Sequence, residues 1–130
     1  MIYLDTSVVL SHLFAEDRHP PVELWDEQLV SSRLLQYETW TRVHARRMPE
    51  DVHEAVRATL GRVAMLELAP PVLFRALDAF PVPVRTLDAL HLASLEFLRA
   101  QGHDVAIAAY DRRLLDAADA LGVTRSRYCS

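Results

Sequence analysis

The first ten residues, Met-Ile-Tyr-Leu-Asp-Thr-Ser-Val-Val-Leu, restrict the fold more than any other stretch of this chain. An apolar run of strand length ends on Asp5, and the hydroxyl pair Thr6 and Ser7 leads directly into an apolar segment of helical length. The order strand, acidic tip, helix start puts Asp5 at the carboxyl end of a strand, which in an open parallel sheet faces the ligand crevice. Two roles are open to it: chemistry in that crevice, or capping the next helix by accepting a backbone hydrogen bond. The other acids of the chain must decide.

The same alternation continues to the end. A first helix over Ser7–Ala15 is followed by a polar, Pro-broken loop from Glu16 to Pro21 and a short helix after it. Leu29 and Val30 read as a second strand, with Ser31 and Ser32 available to cap a helix over Arg33–Arg47. Pro49, Glu50 and Asp51 open a helix that continues to Leu60, as a missing N–H and the helix dipole both favour. Met65–Leu68 is predicted as a third strand stopping at Pro70-Pro71, with a helix over Val72–Ala79. Phe80–Val84 is held extended by its prolines, and Thr86 is expected to cap a helix over Leu87–Gln101 that Gly102 stops. Val105–Ala108 forms a buried strand, followed by Asp111, an amphipathic helix closed by Gly122, and a basic tail with Arg125 and Arg127. Strands alternating with helices predict an α/β fold around a central parallel sheet, because parallel neighbours require helical crossovers.

At 130 residues and 51% hydrophobic content the chain is expected to form one domain, residues 1–130, with ample material for a core. No apolar stretch approaches the ~20 residues that span a bilayer, and no signal-peptide pattern is present, so the expected location is the cytoplasm. Cys129 is the only cysteine, which excludes an internal disulfide and a thiol-rich metal site. A formal net charge of −4 argues against binding polyanions with the whole surface. The 14 basic residues are all arginine, a set that reads first as coding bias, although a planar guanidinium also suits phosphate.

Four acids stand out. Asp5 and Asp111 each follow an apolar strand and precede a helix, so both project at the carboxyl edge of a parallel sheet; Asp111, like Asp5, could instead serve as an N-cap. Asp88 opens an otherwise apolar helix, where the dipole alone would favour it, but His91 lies on the same helical face. His91 itself reads as a core histidine bonded to a backbone carbonyl. Glu38 precedes Arg42 by four residues, which is also the spacing of a helix-surface ion pair. If the four carboxylates converge, they need a compensating cation, since like charges raise one another's pKa. Mg²⁺ or Mn²⁺ is the simplest choice, and metal-assisted phosphodiester hydrolysis the chemistry that follows.

Taken together, Leu-Asp-Thr-Ser at residues 4–7, Glu38 with Arg42, Asp88-Ala89-Leu90-His91-Leu92-Ala93, and Tyr110-Asp111-Arg112-Arg113-Leu114 followed by Ala117-Ala118 resemble a PIN-domain ribonuclease of the VapC type. The resemblance covers essentially the whole chain, and the Asp-Ala-Leu-His-Leu-Ala run is its most specific piece. It implies a three-layer fold, a central parallel sheet of four or five short strands flanked by helices. It implies that Asp5, Glu38, Asp88 and Asp111 are the metal-binding catalytic acids, with Thr6 or Ser7 orienting ligands. It further implies an endoribonuclease toxin acting on structured RNA, a homodimer, and inhibition by a small cognate antitoxin. Ala109 stands where relatives often carry a hydroxyl residue. Arg42, Arg46, Arg112 and Arg113, which flank Glu38 and Asp111, are the candidate RNA contacts.

Other acid-at-strand-end folds are disfavoured by residue identity. A phosphoacceptor receiver would use a lysine, which this chain lacks, and a haloacid-dehalogenase-like phosphatase would carry a second aspartate two residues after Asp5, where Ser7 stands. The remaining alternative is a PIN-like fold kept as a non-catalytic RNA-binding or protein-interaction module.

Overall fold

The structure, a computed structural model, describes residues 1–129. Five short parallel strands, β1 (Ile2–Leu4), β2 (Leu29–Ser32), β3 (Ala64–Leu66), β4 (Ala106–Ala108) and β5 (Thr124–Arg125), form one sheet in the order β3-β2-β1-β4-β5. Around them lie α1 (Thr6–Leu13), α2 (Arg33–Ala45), α3 (Glu50–Leu60), α4 (Pro70–Leu77), α5 (Thr86–Ala100) and α6 (Arg112–Ala120). A 3₁₀ turn covers Val22–Asp26. This is the α/β arrangement expected from the alternation of elements.

The order of strands positions the site. From β1 the chain moves outward through β2 to β3, then crosses back to lay β4 against the other side of β1. The connections leaving β1 and β4 diverge, and such a switch of direction opens a crevice at the carboxyl ends of the strands. The β1–β4 pairing runs Ile2 with Ala106, Tyr3 with Ile107 and Leu4 with Ala108, and Asp5 N–H donates to Ala108 C=O at 2.9 Å. Asp5 and the segment leading to Asp111 therefore leave the sheet side by side.

Side chains alternate across the sheet, so each strand feeds two cores. Ile2, Leu4, Leu29 and Ala108 pack with Val8 and Val9 of α1, Leu35 and Val43 of α2, and Val56 and Leu60 of α3. Tyr3, Val30, Ile107 and Ala109 pack on the opposite face with Leu92, Leu95 and Leu98 of α5 and Leu114 and Leu115 of α6. The three layers follow from that alternation. Leu4, Leu92 and Leu114 are fully buried, and burial of such a side chain contributes about 1.5–3 kcal/mol.

Four local expectations are corrected. Pro70 and Pro71 do not merely end a strand; they occupy the first turn of α4, where a missing N–H costs nothing, so that helix starts two residues before Val72. The third strand ends at Leu66 and does not reach Leu68, because only Ala64–Leu66 pairs with β2. Arg125, expected in an irregular tail, lies in the edge strand β5, which pairs Ala106 with Thr124 and Ile107 with Arg125. Thr86 is the first residue of α5, and the capping position belongs to Arg85. Gly102 has φ +93°, a left-handed conformation that ends α5 as predicted.

Candidate active site

Asp5 is the N-cap of α1 and is buried; its Oδ2 accepts hydrogen bonds from Ser7 N–H at 3.2 Å and Ser7 Oγ–H at 2.5 Å. The same Ser7 oxygen accepts from Tyr110 N–H at 2.9 Å. Ser7 thus straps the acid after β1 to the segment after β4. This polar strap comes from α1, while Ala109 is wholly buried among apolar side chains on the far face of the sheet.

Glu38 reaches the same place from the middle of α2. Thr6 Oγ–H donates to its Oε1 at 2.8 Å, and His91 Nε2 lies 2.8 Å from that oxygen. A carboxylate only accepts, so Nε2 carries a proton. The other ring nitrogen, Nδ1, is 2.8 Å from the hydroxyl of Tyr3, which is itself fully buried. His91 is therefore a buried strut between β1 and Glu38, where a backbone-bonded core histidine was expected. Burial alone would lower its pKa, but Tyr3, the hydrogen bond to Glu38 and the charge of Asp5 outweigh this and push it up to about 10. Burial likewise raises the pKa of Glu38, yet the His91 and Thr6 hydrogen bonds bring it below its ordinary value. Among the described residues Glu38 forms its ion pair with His91 and not with Arg42, which adds only a more distant charge.

Asp111 is the N-cap of α6. Its Oδ1 accepts from Arg113 N–H at 2.9 Å and Leu114 N–H at 3.2 Å, and its Oδ2 accepts from Arg85 Nη2. Burial opposes ionisation of Asp111, but Arg85 and the two amides hold its pKa below the usual value. Asp88, in the first turn of α5, accepts from Arg85 Nε at 2.8 Å. Here the balance is reversed: burial raises the Asp88 pKa, with help from Asp111 and Asp5, and Arg85 only partly offsets it.

The chain thus brings Asp5, Thr6, Ser7, Glu38, Asp88 and Asp111 to the wall of one cavity of about 790 Å³, whose rim includes Arg18, Arg42, Arg85 and Tyr110. For Asp5 and Asp111 capping and cavity placement coexist, since each commits one oxygen to its helix. Arg42 is the one RNA-contact candidate on this wall. Arg46 lies over the ring of Phe14, 4.2 Å from its centroid; Arg112 begins α6 outside the cavity; Arg113 lines a neighbouring recess with Arg85 and Asp116. Sequence reasoning missed Arg85, although its i,i+3 spacing to Asp88 was a signal. Tyr110 falls within the motif around Asp111 but was given no role, and Arg18, whose guanidinium lies 4.6 Å from the Tyr110 ring centroid, carried no signal.

By ligand type alone, the carboxylates on this wall suit a hard divalent ion. Glu38 and Asp5 each spend one carboxylate oxygen on protein donors, while Asp111 gives Oδ1 to the α6 amides and Oδ2 to Arg85; all are oxygen ligands of the kind such ions prefer. Among the described residues no group of three or more acid, histidine or thiol side chains stands, as placed, close enough together to hold a metal ion. An open set of this kind suits an ion that completes its shell with water and substrate phosphate.

A family profile described as PIN domain matches residues 2–120. The chain is 31% identical to ribonuclease VapC47 of Mycobacterium tuberculosis (strain CDC 1551 / Oshkosh) over 129 residues, covering 94% of this chain and 93% of that protein. It is 30% identical to ribonuclease VapC35 of the same strain (95% and 93% covered) and 31% identical to ribonuclease VapC46 of strain ATCC 25618 / H37Rv (94% and 93%). No solved structure matches the chain significantly. A strand-end acid pair at a topological switch, the half-buried Asp-Ala-Leu-His-Leu-Ala segment of α5 and near full-length similarity agree: the chain belongs to the PIN-domain family and, within it, to the VapC type.

Proposed function

We propose that this protein is a divalent-metal-dependent endoribonuclease, the toxin of a toxin–antitoxin pair, folded as one domain over residues 1–130. The observation that supports this most is the meeting of Asp5, Glu38, Asp88 and Asp111 on one cavity at the carboxyl edge of the sheet. These four acids would hold Mg²⁺ or Mn²⁺, which when bound activates water and offsets charge on the transferring phosphoryl group. The chain's own contribution is placement. Thr6 and His91 fix one oxygen of Glu38, Ser7 fixes one oxygen of Asp5, and the amides of α6 fix one oxygen of Asp111. Arg42 at the rim offers a cation to the phosphate backbone, where such contacts dominate affinity.

The reading includes partners: structured RNA as substrate, a small antitoxin, and a second copy of the chain. A protein partner is supported by the apolar side chains Leu73, Phe74, Leu77 and Val82, all left exposed on one face. Among the described residues no helix is long and apolar enough to cross a membrane, in keeping with action in the cytoplasm.

The purified protein should cleave structured RNA with Mg²⁺ or Mn²⁺ and stop on chelation. Asp5→Asn should lower the rate at least about a hundredfold, the usual order for removing one preorganised charge from such a site, with the thermal melt still cooperative. Mapping RNA ends after brief expression identifies the target. Cleavage that survives chelation or Asp5→Asn would sink the metal mechanism, and tight RNA binding without cleavage would favour the non-catalytic module.

A further inference from the structure

Arg85 departs from the chemistry of the helix end on which it sits. N-cap positions favour short acceptor side chains that satisfy free amides, yet Arg85 makes no side-chain cap, and its cation stands at the positive end of the α5 dipole. The acid pair holds it there. Nε donates to Asp88 Oδ2 at 2.8 Å while Nη2 donates to Asp111 Oδ2, so one guanidinium spans two carboxylates carried by α5 and by the N-cap of α6. Pro81 and Pro83 stiffen the segment that delivers it. The Arg85 side chain is 51% exposed, against 14% for Asp88, so the cation can leave toward solvent without unpacking the core.

Resting on the metal-dependent reading above, we infer that Arg85 is the resident counter-ion of the Asp88–Asp111 pair, and that a divalent ion loads the site by displacing its guanidinium. In the metal-free protein the single charge of Arg85 makes two neighbouring carboxylates tolerable. The ion must compete with it, so Arg85 weakens divalent binding and sets the concentration at which the site fills. If Arg85 instead merely positioned the two acids for the ion, its removal would act with the opposite sign.

The test is Mn²⁺ binding to the purified full chain, read from the free-ion electron paramagnetic resonance signal. Arg85→Gln should bind Mn²⁺ roughly tenfold more tightly than wild type, the combined worth of two half-exposed ion pairs, and Arg85→Lys should fall between. In the wild type, Mg²⁺ titration should also move the Arg85 Nε–H resonance of ¹⁵N-labelled protein. Equal or weaker Mn²⁺ binding by Arg85→Gln and Arg85→Lys, or an Arg85 resonance indifferent to Mg²⁺, overturns the exchange. Binding that Asp5→Asn weakens but Arg85→Gln does not tighten removes only the role of Arg85. Absence of Mn²⁺ binding in wild type and variants alike removes the metal-dependent reading itself.

Discussion

Two hollows meet at the start of α5, and they are built on opposite terms. The acid cavity has about 790 Å³, and each of its four carboxylates is already engaged by a hydrogen bond from the protein. The groove beside it, about 750 Å³ between α4, α5 and the Phe80–Arg85 segment, is lined by Leu73, Phe74, Leu77 and Val82 with no such engagement. Phe74 is 68% and Leu77 81% exposed, so each forgoes most of the ~1.5–3 kcal/mol that full burial contributes. The first hollow spends internal contacts on geometry. The second leaves contacts unmade, and such a surface gains stability only when something covers it.

The largest test of that contrast lies beneath the cavity. His91→Leu should remove the buried cation from Glu38 and Asp5 and lower stability by about 3 kcal/mol, since an unpaired buried carboxylate is left behind. The pH dependence checks the cause. The His91 pKa is raised in the fold, so its contribution is complete below its ordinary value of 6.5 and is lost as pH rises through about 10. Thermal melts of the wild type should therefore weaken over that window, and those of His91→Leu should lack this component. Equal pH profiles would show that His91 acts by packing alone.

A smaller effect separates the two acids that share Arg85. Asp88 has a raised pKa, so its ionised form is a burden to the metal-free fold at neutral pH, and Asp88→Asn should raise the melting temperature by a few degrees, or about 1 kcal/mol. Asp111 has a lowered pKa; its contribution is present above the ordinary value of 3.8 and lost as pH falls below it. Asp111→Asn should therefore lower the melting temperature at pH 7. Shifts of the same sign in calorimetry would contradict this division of roles.

The smallest effect on folding belongs to the groove. Phe74→Ser and Leu77→Ser should change stability by no more than about 0.5 kcal/mol, as for exposed positions generally, and leave cleavage unchanged. They should shift the sedimentation behaviour of the protein toward the monomer. If sedimentation is unaltered, a second copy does not cover this face.

Much of this was legible before any coordinates. Asp5 and Asp111 could be read because an acid placed between a strand and a helix has only one edge of a parallel sheet to occupy. The three layers follow from the same alternation. Arg85 was hidden because its two partners lie three and 26 residues away, and the longer link depends on how β4 sits beside β1. The Tyr3–His91 contact spans 88 residues and joins β1 to α5, so no local period could show it. Strand β5 was missed because two residues on an exposed edge leave no hydrophobic alternation.

The hydroxyl of Ser7 joins the carboxylate of Asp5 to a backbone amide 103 residues beyond Ser7 itself. While the polypeptide is still being synthesised and only the residues through α5 have emerged, the hollow lacks the wall that carries Asp111. A ribosome-bound fragment stopped short of Tyr110 lacks both the amide that donates to that hydroxyl and Asp111 itself, so on the metal-dependent reading it would not cleave RNA.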